Sequence, residues 1–263
     1  MQSSVRLASV MGRYWRLFGT AVSFTAFGVG GVLLWLLVFP CLNIFVWQPK
    51  RRIRWSREVI RISFRGFIGL MSGLGVLRYR IEGAERLQRG GLLILANHPS
   101  LIDTVFLMAF VERADCIVKA GLWKNVFTRG PVRSAGYINN ENGSDLLDAC
   151  ILTLEAGNNL IVFPEGTRTP VSGDIELKRG AANIAVRGER DVTPVVIHCE
   201  PKTLSKGEPW WKIPERQVQF SIEIREDISI QNFTAGGDTD VIAARQLTKF
   251  LQQYFIRETA HHA

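Results

Sequence analysis

Apolar and polar positions divide this chain near residue 78. Residues 17–49 contain no charged side chain, and about 20 apolar residues are enough to cross a bilayer. Residues 17–39 therefore suffice as a membrane span before Pro40 interrupts the helix. The basic leader (Arg6, Arg13, Arg16) has the charge of a signal peptide's first part, but the apolar run is too long and lacks a persuasive cleavage site. It reads as a retained anchor. A re-entrant hairpin, turning near Gly28, Gly30 and Gly31 or near Pro40, fits the same stretch. Over residues 54–77 the period becomes that of an amphipathic helix. Arg54, Arg57, Arg61 and Arg65 share one face, and Ile60, Phe64, Phe67, Met71 and Leu74 another. Such a helix lies in a membrane interface with its arginines at the headgroups, or packs on the domain with a solvated basic face.

From Tyr79 onward short apolar runs alternate with helical periods. Strands are predicted at 79–82, 92–96, 116–119, 160–163, 195–198 and 218–224. Helices are predicted at 102–110, 144–156, 179–187 and 241–256, with Ser144 capping the second and Gly157 ending it. The alternation predicts an α/β fold, a mixed sheet flanked by helices, preceded by an N-terminal hydrophobic membrane-anchoring region. The division falls into residues 1–78, the anchoring helices, and residues 79–263, the α/β domain.

Charge sharpens this division. Residues 1–80 carry a net +11 and the remainder −3. The basic residues flank apolar sequence rather than line a groove, which points to an anionic lipid surface and away from nucleic acid. More lysine and arginine follows the anchor than precedes it, placing the main domain on the cytoplasmic side of an inner membrane. Cys41, Cys116, Cys150 and Cys199 are widely spaced, reading as reduced thiols without a disulfide or zinc role.

Candidate chemistry centres on Asn97-His98-Pro99-Ser100-Leu101-Ile102-Asp103. His98 is one of four histidines and follows a buried-strand run, while Pro99 suits the first turn of the next helix. Helical side chains tilt toward the helix N-terminus, so Asp103 leans back toward His98. There it can accept the Nδ1 proton and leave Nε2 as a general base. The bland alternative is a capping turn, with Asn97 or Ser100 satisfying helix N–H groups. One His and one Asp are too few to predict a metal.

A second strand run, 160–163, ends in Pro164-Glu165-Gly166-Thr167-Arg168. His98-x4-Asp103 followed about 60 residues later by Phe163-Pro164-Glu165-Gly166-Thr167-Arg168 resembles the glycerophospholipid acyltransferase superfamily, over roughly residues 79–225. That resemblance implies that His98 deprotonates an acceptor hydroxyl, which attacks the thioester of acyl-CoA or an acyl carrier protein. No other cofactor is implied. Arg168, a permanently charged fork, would hold phosphate. Glu165 would orient Arg168 or touch substrate, and Gly166 would permit close approach, with Thr167 beside them. Pro194, at the start of a strand, matches a late motif tied to acyl-donor binding. Ser100 lacks the G-x-S-x-G elbow, so direct transfer without a seryl intermediate is expected.

One departure bears on the acceptor. Asn140 stands where the family carries an arginine for glycerol phosphate, and Lys119, Lys124, Arg129 and Arg133 lie upstream as possible substitutes. The leading expectation is a lysophospholipid acceptor, 1-acylglycerol-3-phosphate first. An amino-acid-containing lyso-lipid or a specialised acyl chain is the nearest alternative. Thioester hydrolysis and a membrane-tethered scaffold are further ones.

Overall fold

The computed structural model describes residues 2–124, 128–141, 145–170, 174–237 and 239–260, with side chains described from residue 11 onward. In chain order the elements are α1 (Gln2–Leu33), a π-helical stretch (Leu34–Val38), α2 (Phe39–Phe45), α3 (Pro49–Gly73), β1 (Leu77–Glu82), β2 (Leu93–Ala96) and α4 (Asp103–Phe110). There follow β3 (Ala114–Val118), α5 (Ala120–Lys124), α6 (Arg129–Ser134), β4 (Ile138–Asn139), α7 (Asp145–Glu155), β5 (Asn159–Val162) and α8 (Gly180–Arg187). β6 (Val192–Glu200), β7 (Val218–Ile224), α9 (Gln231–Thr234) and α10 (Asp240–Ala260) complete the chain.

Seven strands form one sheet in the order β1-β7-β6-β2-β5-β3-β4. All pairings are parallel except β6 with β7, so the predicted mixed sheet is present. Alternation along β2 explains the layers, because successive side chains point to opposite faces. Ile94 and Ala96 join the apolar layer containing Phe67 of α3 and Phe106 of α4. Leu93 and Leu95 join the opposite layer, with Leu154 of α7, Ala185 of α8 and Leu247 of α10. A strand covered on both faces has no use for polar positions, hence its unbroken apolar run.

Three expectations need correction. Pro40 does not end the first helix: α1 continues through the π-helical stretch into α2, where Pro40 occupies the first turn. Proline lacks an N–H and its ring crowds the carbonyl four residues back, and the wider π turn immediately before it absorbs both. Residues 11–45 consequently form one helix long and apolar enough, by length and composition, to cross a membrane. The chain reverses at residues 46–48 instead of near Gly28, Gly30, Gly31 or Pro40. Pro194 lies inside β6, paired with Leu95, rather than at a strand start. From the Val192–Ile228 bridge to the Val195–Ile224 pair, β6 advances three residues and its partner four. The bulge lies opposite Pro194, where no ladder N–H is required.

The third correction concerns Arg57, which does not face headgroups. It is buried, with Nη2 2.6 Å from Asp115 Oδ2 in β3 and Nε donating to the Ala135 carbonyl at 2.8 Å. Thr153 also donates to Asp115, at 2.7 Å. This pair rivets α3 to the sheet. Arg57→Ala would strand a buried carboxylate, at a cost of about 3–5 kcal/mol. Urea denaturation should show that loss, and a shift below about 1 kcal/mol would mean that the pair is not holding α3. The short edge strand β4 escaped prediction because two residues carry no readable period. Ser144, the predicted cap of α7, lies outside the described residues.

Candidate active site

β2 and β5 are parallel neighbours, so the segments leaving their C-terminal ends emerge at one edge of the sheet. Past Ala96 the ladder is prolonged by a side chain. Asn97 Nδ2 donates to the Ile197 carbonyl at 2.8 Å, and Asn97 Oδ1 accepts from the Ile197 N–H at 2.7 Å. That clamp on β6 fixes where the next residue, His98, leaves the sheet. Asn97 is therefore a strand clamp, not the helix cap that its position also permitted.

The His98 ring meets Asp103 as the spacing predicts, with Nδ1 3.0 Å from Oδ2. The same oxygen accepts the Ser100 N–H at 2.6 Å, and Asp103 is fully buried. Burial pushes the Asp103 carboxyl up to about 6, against the pull of His98 and the Ser100 N–H. The second face of the imidazole is set by Phe163, whose ring stacks on it at 4.2 Å and 24°. With Nδ1 committed to the carboxylate and the plane held by Phe163, Nε2 remains to take a proton. Ser100 is buried and its Oγ lacks a hydrogen-bond partner among the described residues. A side chain so enclosed is badly placed to carry an acyl group.

The second motif braces the first through its main chain. Glu165 Oε1 accepts the His98 N–H at 2.9 Å and the Thr169 hydroxyl at 3.0 Å, while the Thr169 N–H donates to the His98 carbonyl at 2.8 Å. Burial raises the Glu165 carboxyl, opposed by those two donors. Glu165 thus orients the histidine loop, not Arg168. Arg168 Nη1 instead donates to the carbonyls of Leu204 and Ser205, at 2.8 and 3.0 Å. Leu204 also accepts the Leu101 N–H at 3.2 Å, so the β6–β7 loop closes over the histidine turn. Gly166 has φ +69°, and a Cβ there would meet the Lys178 side chain at 3.1 Å. The dihedral is what calls for glycine, since the flexible end of Lys178 can yield the few tenths of an ångström a Cβ would need. Thr167 is half-buried between these anchors.

Lys119 and Asn140 follow the C-terminal ends of β3 and β4, so parallel pairing puts them on the same sheet edge as His98. The Asn140 side chain is occupied within the fold, its Oδ1 accepting the Ala120 N–H at 2.9 Å where α5 begins. Lys119 is exposed. Pro194 is buried within β6, its carbonyl accepting the Arg225 N–H at 2.9 Å, so it belongs to the sheet and not to the histidine turn. Sequence reasoning missed Asn97 as a clamp, Phe163 as a stacking partner, Thr169, and the Leu204–Ser205 carbonyls. Asn97 and Phe163 abut the motifs and could have been suspected. The carbonyls have no sequence signal, because the left-handed turn at Leu204 (φ +53°) carries no glycine to mark it.

Beside Asp103, on α4, Thr104 borders an apolar cavity of about 650 Å³. Phe27 of α1, Phe64 and Phe67 of α3, Met108 of α4 and Val118 of β3 line it. The helical hairpin and the sheet together enclose space for an extended hydrocarbon chain.

Comparison with known proteins places this geometry. The family described as Acyltransferase matches residues 78–198. A 1-acyl-sn-glycerol-3-phosphate acyltransferase of Pseudomonas aeruginosa is 28% identical over 168 residues, 60% of this chain and 63% of that protein. A lyso-ornithine lipid O-acyltransferase of Rhizobium meliloti is 27% identical over 187 residues, 66% of this chain and 58% of that one. The chain therefore matches less than two thirds of these relatives' length. The crystal structure of the 1-acyl-sn-glycerophosphate (LPA) acyltransferase from Thermotoga maritima superposes with a TM-score of 0.68 at 20% identity, covering 95% of each chain. At that identity it is the fold that is shared.

Proposed function

We propose that this chain, which belongs to the glycerophospholipid acyltransferase superfamily, is a membrane-bound O-acyltransferase. It moves an acyl chain from a thioester, acyl-CoA or acyl carrier protein, to the free hydroxyl of a lysoglycerophospholipid, 1-acylglycerol-3-phosphate first. The observation that carries this reading is the His98–Asp103 pair at 3.0 Å, braced through the His98 N–H by Glu165 of the second motif.

In this reaction His98 Nε2 takes the proton of the acceptor hydroxyl as its oxygen forms a bond to the thioester carbonyl carbon. Asp103 stabilises the imidazolium that results. The carbon–sulfur bond then breaks, and the imidazolium returns its proton to the departing thiolate, leaving an ester and a free thiol. Burial opposes the charge on Asp103, and the imidazolium forming beside it offsets that cost, so the pair is most favourable when His98 has taken the proton. The cavity beside Thr104 receives hydrocarbon. The long apolar helix holds the site at the surface of the inner membrane, on its cytoplasmic side, where the acceptor's hydroxyl lies and soluble thioesters arrive. No metal or other cofactor enters the chemistry.

Arg168 is both a loop clasp and the phosphate ligand in this reading. Both bonds to the loop come from one nitrogen, leaving the rest of the fork for the acceptor's phosphate. Lysine can satisfy the two carbonyls but cannot offer the fork. Arg168→Lys should therefore raise KM for the phosphate-bearing acceptor about tenfold while kcat falls less, consistent with losing one charge-assisted bond. An unchanged KM would confine Arg168 to the loop.

A second reading keeps the chemistry and changes the acceptor to an amino-acid-containing lyso-lipid. It is favoured by Asn140, where a cationic phosphate ligand was expected and a neutral side chain caps α5, and by similarity to the Rhizobium protein. The purified protein assayed with lysophosphatidate and lyso-ornithine lipid, each with acyl-CoA and acyl carrier protein, separates the two. Free fatty acid released at a comparable rate without any acceptor would defeat both.

A further inference from the structure

A second large cleft lies at the edge of the sheet opposite the histidine. Its volume is about 820 Å³, and its walls include Arg113 and Ala114 at the start of β3 and Asn158 just before β5. These are N-terminal strand ends, whereas His98 follows a C-terminal end. The length of β3 alone puts about 15 Å between the two edges. The cleft is therefore not the acceptor site of the acyl transfer, and what it binds is independent of that reaction.

Its lining is cationic. Lys50, Arg51, Arg54, Arg57 and Arg61 from α3 face Arg113, and Glu58 is the sole carboxylate among the lining residues. Two of these cations are spent. Arg61 forks onto Glu58 with two bonds of 2.8 Å, and Arg57 pairs with Asp115. Lys50, Arg51, Arg54 and Arg113 have no acidic partner among the described residues, although Arg51 lies over the Trp55 ring at 5.6 Å. Four unneutralised cations around one concavity make a strong anion trap. Arg113 is moreover held at φ +48°, a conformation that costs a non-glycine residue energy, and it carries the cation on the wall opposite α3.

The chain entering the cleft identifies the anion's source. Ile44, Phe45 and Trp47 at the end of the α2 hairpin are 64%, 77% and 86% exposed. Gln48 and Lys50, which follow directly, line the cleft. Apolar side chains with this exposure belong among acyl tails, and the cations beside them then sit at phosphate depth. We propose that this cleft binds the headgroup phosphate of an anionic phospholipid, a site separate from the catalytic one. It gives the domain a second hold on the membrane surface, about 15 Å from the histidine edge, and leaves the catalytic site itself free.

Native mass spectrometry of the full chain in a nonionic detergent, with equal amounts of dioleoyl phosphatidylglycerol and phosphatidylcholine, tests this. The wild type should retain the anionic lipid in preference. Arg54→Glu with Arg113→Glu, on opposite walls, should cut that preference about tenfold or more. Lys50→Glu with Arg54→Glu repeats the loss should the first pair fail to fold. Arg52→Glu with Arg65→Glu makes the same charge change on α3 away from the cleft, and should preserve most of the preference. Equal loss in this control would overturn the cleft in favour of a diffuse basic helix. Displacement of the lipid by glycerol 3-phosphate, beyond that by chloride of equal ionic strength, would reassign the cleft to a soluble phosphate. Either result leaves acyl transfer unaffected, because the readout is lipid retention.

Discussion

Replacing His98 with alanine is expected to lower kcat about 10²–10⁴-fold, the usual worth of a positioned general base, while the protein still folds. The ring's contacts are Asp103 and Phe163, whereas the turn is held through its main chain by Glu165 and Thr169. Those bonds survive truncation of the side chain. Asp103 then loses the partner that favours its charge and protonates more readily, which softens the cost of leaving it buried. KM should change little, since the imidazole acts on the proton and not on the acyl chain. Activity within about threefold of wild type, in a variant with unchanged circular dichroism, would remove the imidazole from the chemistry. Aggregation of every His98 variant would favour the scaffold instead.

Asp103→Asn should cost nearly as much, about 10²-fold or more, because a neutral amide cannot stabilise the imidazolium. Its pH signature separates charge from shape. Asp103 titrates at about 6 in the folded chain, above its ordinary 3.8. Wild-type kcat should therefore decline as pH falls through about 6, where the pair gains a proton. Stability runs the other way. Between about pH 4 and 6 the folded chain keeps a proton that the unfolded chain has released, so stability from this group is fully present below about 4 and is lost as pH rises past 6. The difference corresponds to roughly 3 kcal/mol. The Asn variant should gain on the wild type by up to that amount between about pH 4 and 7. Melting curves that run parallel across this range would show that burial does not raise the carboxyl as described.

Position along the chain and position in space coincide best where strands are short and buried. The runs at 92–96 and 160–163 announced β2 and β5 because burial on both faces leaves only apolar residues. The motifs at their ends inherit a common sheet edge from parallel pairing. The four-residue gap between His98 and Asp103 gave their contact, since helical tilt makes it local. Local geometry was legible. Arg57 shows the opposite case: its period put it on a solvated face, but it is buried against Asp115, 58 residues away. Arg168 likewise has the chemistry of a phosphate ligand, and nothing in its neighbours reveals the carbonyls 36 and 37 residues on.

The sequence by itself determined the α/β alternation, the apolar N-terminal helix, and the histidine–carboxylate pair, because each depends on periods or spacings within a few residues. Only the tertiary structure decided that the first helix passes Pro40, that Glu165 braces the histidine rather than the arginine, and that basic residues of α3 close a cleft with Arg113. Those outcomes depend on which distant segments share a surface once the sheet has assembled. A hydrogen bond or ion pair across such a surface is set by packing, which no local pattern encodes.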